Sequence, residues 1–185
     1  MKLNSNPDTS ASAGIDMKQG LNVGARLKHH YEVECYAPDG TLKWKESFDN
    51  LVPTAGRNKY LDATIKTGLS SPSWNVGLVD NSGFTSYDSG DTMGSHSGWS
   101  ESTAYSNAAR PAYTPGTVAS GSVDNSASKA TFTINGSATI RGAFIVDNST
   151  KGGTTGTLLG VGDFAASRQV QANDTLNVTI TLSIS

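Results

Sequence analysis

From Ala130 to Val146 the chain reads ATFTINGSATIRGAFIV. Ala130, Phe132, Ile134, Ala138, Ile140, Phe144 and Val146 share one parity, and polar Thr131, Thr133, Asn135, Ser137, Thr139 and Arg141 stand between them. A period of two puts one set on a buried face and the other toward water, which predicts half-buried strands. Asn135-Gly136 in the middle is a turn or bulge dipeptide, so the stretch predicts two strands joined as a hairpin. The same alternation returns at Leu176, Val178, Ile180, Leu182 and Ile184. Near the start, Tyr31, Val33 and Cys35 alternate with His30, Glu32 and Glu34. After a Pro38-Asp39-Gly40 turn, Leu42, Trp44, Glu46 and Phe48 share one parity, a second hairpin in which Glu46 marks an edge or a strand end.

Trp74, Val76 and Leu78 predict a central strand, and Leu158, Leu159, Val161 and Phe164 another. One stretch breaks the pattern. Residues 54–68 read as a helix capped by Thr54 and Gly68, with Tyr60, Leu61, Thr64 and Ile65 on the stripe that packs against a sheet and an Asp62–Lys66 pair beside it. Between Asp80 and Gly121, Met93, Trp99, Tyr105 and Tyr113 are spaced through Ser/Gly/Asp-rich loops. A loop so long either covers part of the core or carries interface anchors, and both readings stay open. The expected architecture is all-β: an antiparallel, jelly-roll-like β-sandwich over residues 27–185 with one short α-helix near residues 54–67. Residues 1–26, rich in Ser, Asn and Gly, hold no period for long and read as a flexible N-terminal arm. Ile15, Met17, Leu21 and Val23 are its candidate contacts with a neighbouring subunit.

Composition changes the picture little. A hydrophobic fraction of 36%, a charged fraction of 16% and 20 glycines suit Thr-faced strands with Gly/Ser loops. A net charge of -2 lacks the basic footprint of a nucleic-acid binder. No apolar run approaches the ~20 residues of a membrane span, and the N-terminus lacks the apolar core of a signal peptide. The lone Cys35 falls on an apolar strand position and reads as a small buried hydrophobe. Asn-x-Ser/Thr patterns at Asn135, Asn148, Asn173 and Asn177 read as by-products of strand ends rich in these residues.

Candidate chemistry is sparse. Ser95-His96-Ser97 lies near Asp88 and Asp91, but no nucleophile-elbow pattern surrounds either serine. Asp80, Asp88 and Asp91 match no calcium-loop spacing. His29 and His30, being adjacent, point to opposite faces of a strand and cannot share a metal there. The glycine-rich stretch 147–156 places its lysine ahead of the glycines, unlike a phosphate-binding loop. The four glutamates, Glu32, Glu34, Glu46 and Glu101, form no recognisable pair for glycoside hydrolysis. Neither an enzyme nor a cofactor is expected.

The segments PDGTLKWKESFDNLVPTAGRNKYLDATIKTG, SWNVGLVDN, DTMGSHSGWSE and VDNSASKATFTINGSATIRGAFIVDNSTKGGTTGTLLGVGDF resemble a group of small tailed-bacteriophage virion proteins. The likeness covers about residues 30–185 and carries no catalytic motif. It implies a capsid decoration or cement protein, made in the host cytoplasm, that docks on the outer surface of the phage head and bridges its subunits. The implied partners are the major capsid protein and further copies of the chain, as a dimer or trimer. Two alternatives accompany it: a tail, neck or baseplate component, and a host-carbohydrate-binding module using Trp99, Tyr105 and Tyr113 as aromatic platforms.

Overall fold

The computed structural model of the protein describes residues 26–68 and 71–185. The alternation at Tyr31, Val33 and Cys35 becomes strand β1 (Leu27–Tyr36), which turns at Pro38–Gly40 into β2 (Leu42–Asp49). Then come helix α1 (Thr54–Ile65) and strand β3 (Trp74–Asp80), followed by short β4 (Ser100–Ser102), β5 (Ala112–Tyr113) and β6 (Ser122–Asp124). The chain ends in β7 (Ala130–Thr133), β8 (Ala138–Val146), β9 (Leu158–Val170) and β10 (Thr175–Ile184). These strands form two antiparallel five-stranded sheets. One runs β2-β1-β10-β6, with β7 also on β10; the other runs β4-β3-β8-β9, with β5 also on β3. Their facing side chains, among them Tyr31, Val33, Phe132, Leu176 and Val178 against Val76, Leu78, Ile140, Ile145 and Phe164, make the principal core. The all-β sandwich with one short helix is the fold observed.

The two sheets differ in how they meet water. The outer face of the first is polar, and Lys45 bridges Glu32 and Glu34 at 2.9 and 3.4 Å while Lys129 reaches Glu34 at 2.8 Å. The second is covered on both faces. Val79, Phe144, Val146, Leu158 and Val161 point away from the principal core into a second apolar cluster with Met93 and Trp99. The segment between β3 and β4 supplies that cover, with Phe84 and Tyr87 packed along it. Gly77 makes room for it: a Cβ there would lie 2.1 Å from the Phe144 ring, which covers the bare backbone of the neighbouring strand.

Two expectations are corrected. The 130–146 stretch is not a hairpin. β7 pairs with β10 in the first sheet, whereas β8 pairs with β3 and β9 in the second. At Asn135-Gly136 the chain crosses between sheets, tied on the way by Ile134 N–H to Asp174 O (2.9 Å) and Asn135 N–H to Ala104 O (3.2 Å). The helix also docks by an unforeseen face. Leu61 and Ile65 are 62% and 78% exposed, and the buried helical residue is Gly56. A Cβ on Gly56 would sit 2.3 Å from the Leu159 carbonyl oxygen, so the helix backbone rests directly on β9. Pro53 rather than Thr54 occupies the N-cap, and the helix ends at Ile65 with Lys66 as C-cap. The Asp62–Lys66 pair forms as expected, at 2.5 Å.

Glu46 lies on the edge strand, as its place in the pattern suggests, but points inward and pairs with Arg168 of β9, the Arg168 Nε donating at 2.6 Å. That pair ties the edge of one sheet to the end of the other. Cys35 is fully buried beside Asp174, and burial pushes its thiol up to about 12.

Candidate functional site: an apolar groove beside the helix

Beside the contact of α1 with β9 opens a groove of about 270 Å³. Tyr60 and Ala63 of the helix form one wall. Trp74, Tyr113 and Pro115 form another, while Leu159 and Leu182 make the floor and Val118 and Val123 the far side. A second depression of about 180 Å³ continues it along Val118, Gly121, Val123, Leu182 and Ile184. The polar atoms of its aromatics are engaged internally. The Trp74 indole donates to Ser71 Oγ at 3.0 Å and the Tyr113 hydroxyl to Val123 O at 3.4 Å. What the groove offers a ligand is apolar surface with Lys59 at its rim.

Behind Tyr60 lies a buried polar network that fixes the helix to β1. The side-chain amide of Asn50 donates to His29 Nδ1 at 3.1 Å and to the Tyr31 hydroxyl at 3.2 Å. That leaves His29 Nε2–H to donate to the Tyr60 hydroxyl at 2.9 Å, so the ring is neutral. His29 is 1% exposed, and burial lowers its pKa to about 4 from the ordinary 6.5. The sign of the consequence is fixed. Between pH 6.5 and 4 the unfolded chain takes up a proton that the folded chain refuses, so stability falls as pH falls through that window. The integrated loss is roughly 3 kcal/mol at its lower end. Urea midpoints at pH 7, 6, 5 and 4.5 should therefore slope downward for the protein and much less for His29→Gln. Parallel profiles would refute the assignment.

The other candidates are absorbed by local structure. His96 stacks on Trp99 at 4.0 Å between ring centroids and places Nδ1 3.0 Å from the Trp99 carbonyl. Asp91 accepts hydrogen bonds from the Trp99 indole and the Asp88 amide, both at 3.0 Å. Asp88 accepts from Gly90 N–H at 2.7 Å and Asp80 from Ser82 N–H at 2.6 Å, each closing its own turn. Among the described residues no three His, Cys, Asp or Glu side chains gather as a metal site. Nor is any described helix long and apolar enough to cross a membrane.

The sequence-predicted interface residues divide into two groups. Ile15, Met17, Leu21 and Val23 lie outside the described residues. Met93, Trp99, Tyr105 and Tyr113 are 1%, 4%, 0% and 5% exposed. They take the covering role, which corrects both the interface reading of these four and the idea of Trp99 and Tyr105 as sugar platforms: a ring without exposed surface cannot stack on a ligand. Tyr113 alone of the four reaches the groove, as part of its wall. Hydropathy carried no signal for the groove, whose lining is gathered from segments far apart in the chain. The exposed Leu61 and Ile65 were visible in the sequence but assigned to the wrong side of the helix. A scan against protein-family models finds no match to this chain, and a search of curated proteins finds none either.

Proposed function

We propose that the protein is a capsid decoration protein of a tailed bacteriophage, binding the outer shell of the head and bridging its subunits. The resemblance over residues 30–185 supplies the context, and one observation carries the reading: an exposed apolar pair, Leu61 and Ile65, on a helix next to an apolar groove. Single exposed aliphatics are ordinary, but a cluster on one element beside a groove is how protein contact surfaces are built. Such a surface, on a sandwich stiffened by two cores, is what a cement protein needs. Binding only to the assembled lattice stabilises that lattice by mass action. With Met93, Trp99 and Tyr105 buried, the exposed face of α1 supports the contact reading better than the 80–121 segment does.

Copy number in purified virions, measured by quantitative mass spectrometry against the major capsid protein, tests the reading. Hundreds of copies are expected. Six to a few dozen would instead place the protein in the tail, neck or baseplate, and absence from particles would sink both virion readings. On isolated capsids, Leu61→Asp with Ile65→Asp should weaken binding at least ~100-fold if the pair is a contact centre of about 3 kcal/mol. The thermal midpoint should barely move, because both side chains already face water. Undiminished binding would remove α1 from the contact surface.

A further inference from the structure

Asn135-Gly136, where the chain crosses from one sheet to the other, is the one Asn-Gly dipeptide in the sequence. The backbone on either side of it is pinned. Ile134 N–H donates to Asp174 O at 2.9 Å, Asn135 N–H donates to Ala104 O at 3.2 Å, and Ala138 is in register with Val170. Between those anchors the groups that matter for amide chemistry are loose. Asn135 is exposed, and among the described residues neither its side-chain amide nor the Gly136 N–H has a hydrogen-bond partner. A Cβ on Gly136 would meet nothing within 4 Å, so the peptide plane between the two residues can turn without collision.

Other asparagines followed by small or polar residues are held. Asn125 is 1% exposed, its Oδ1 accepting from Ile180 N–H at 2.7 Å and its Nδ2 donating to Val178 O at 3.1 Å. Asn148 Oδ1 accepts from Thr150 N–H at 2.7 Å, and its Nδ2 donates to Thr155 Oγ1 at 3.0 Å. The Asn107 amide is tied to Thr133 N–H and Thr131 O, both at 3.1 Å. After Asn81 and Asn173 the following nitrogen is the occupied group. Ser82 N–H donates to Asp80 Oδ1 at 2.6 Å and Asp174 N–H to Gln171 O at 3.0 Å.

We infer that Asn135-Gly136 is a site of spontaneous covalent modification, at which Asn135 of the folded protein converts through a succinimide to aspartate and isoaspartate. Solvent hydroxide removes the Gly136 amide proton, and that nitrogen forms a bond to Asn135 Cγ. The Cγ–Nδ2 bond breaks, and Nδ2 leaves as ammonia with a proton taken from water. Water then opens the five-membered ring at one of its two carbonyls. Breaking the new bond to Cγ restores the main chain and leaves aspartate. Breaking the bond to the main-chain carbonyl carbon leaves isoaspartate, whose backbone runs through Cβ. Nothing is oxidised or reduced. Either product makes the net charge of -2 one unit more negative. Isoaspartate also inserts a methylene into a span fixed at Ala104 and Val170, so its strain falls on the crossover between the sheets. The modification belongs to the isolated chain and holds whether or not the protein decorates a capsid.

Ageing the full chain in mildly alkaline buffer, followed by peptide mapping that separates asparagine, aspartate and isoaspartate at each site, tests the assignment. Asn135 should convert at least ~10-fold faster than Asn81, Asn107, Asn125, Asn148 or Asn173 in the same sample, because those sites react only after local opening. Gly136→Ala has room for its methyl group and needs no left-handed φ, so it should fold normally. It should slow conversion at Asn135 by ~10-fold or more, since the added Cβ stiffens the backbone and shields the attacking nitrogen. Conversion at Asn135 no faster than at the held asparagines would overturn the inference. An undiminished rate in Gly136→Ala would overturn it as well.

Discussion

Replacing Arg110 with alanine is expected to destabilise the protein by about 3–5 kcal/mol, the range for stripping one partner from a buried ion pair. The Arg110 side chain has no exposed surface, and Glu101 is only 7% exposed. The guanidinium donates twice to Glu101, at 3.0 and 2.7 Å, and once each to the carbonyls of Asn148 (3.0 Å) and Gly153 (2.8 Å). Glu101 in turn accepts from Gly152 N–H at 2.8 Å and the Tyr105 hydroxyl at 3.2 Å. One fork thus holds β4, the segment after it and the 147–156 loop in register. Alanine would leave a carboxylate and two carbonyls inside without their donors. Arg110→Lys should recover little, because a single ammonium cannot span both carboxylate oxygens and both carbonyls. Chemical denaturation reads the loss directly. A change below 1 kcal/mol would mean that the loops are held by other contacts.

Phe144→Ala should cost a comparable 3–5 kcal/mol, by lost burial and by the cavity left behind. Phe144 is fully buried, lies over Gly77, and meets Trp99 at 5.3 Å between centroids. Unlike a residue of the principal core, it supports the outer cover of the second sheet. Its removal should therefore loosen Met93 and Trp99 before it separates the sheets. Trp99 should become accessible to acrylamide quenching at denaturant concentrations where far-ultraviolet dichroism is still native. Simultaneous loss of both signals would refute the idea of a separately held cover. Arg110 Cζ stands 5.2 Å from the same ring centroid, so Arg110→Ala and Phe144→Ala together should cost less than the sum of their separate effects.

Strands were the legible part of this chain, because a two-residue period depends only on near neighbours. Tyr31, Val33 and Cys35, and likewise Leu176, Val178 and Ile180, announce their buried faces without help from elsewhere. Pairing partners were not legible. Ala130–Thr133 and Ala138–Val146 show one continuous alternation, yet belong to opposite sheets, since nothing local says which distant strand lies beside them. The helix misled for a related reason. Leu61 and Ile65 have the greater hydropathy, but the close approach to β9 requires the absence of a side chain at Gly56. The groove was equally hidden, because its walls come from α1, β3, β5 and β9 together. Trp74-Asn-Val-Gly-Leu-Val79 did carry a clue to the doubly covered sheet, in that Val79 falls on the opposite parity to Val76. Arg110 gave no signal at all: an arginine before a proline in a polar loop looks like any solvated cation.

The placement of β10 governs the order in which the molecule can be made. β10 is the last described strand in the chain, yet it is the middle of its sheet, bonded to β1, β6 and β7. All strands of the other sheet precede it in the chain, so the pairing of β3, β4, β5, β8 and β9 does not require β10. The β1–β2 hairpin, made well before it, must wait with Tyr31, Val33 and Cys35 incompletely covered until β10 has followed. Pairing over so long a separation is slow, and the waiting surface is sticky. A chain truncated before Thr175 is therefore expected to be half-closed and aggregation-prone, the first sheet being completed only once β10 is present.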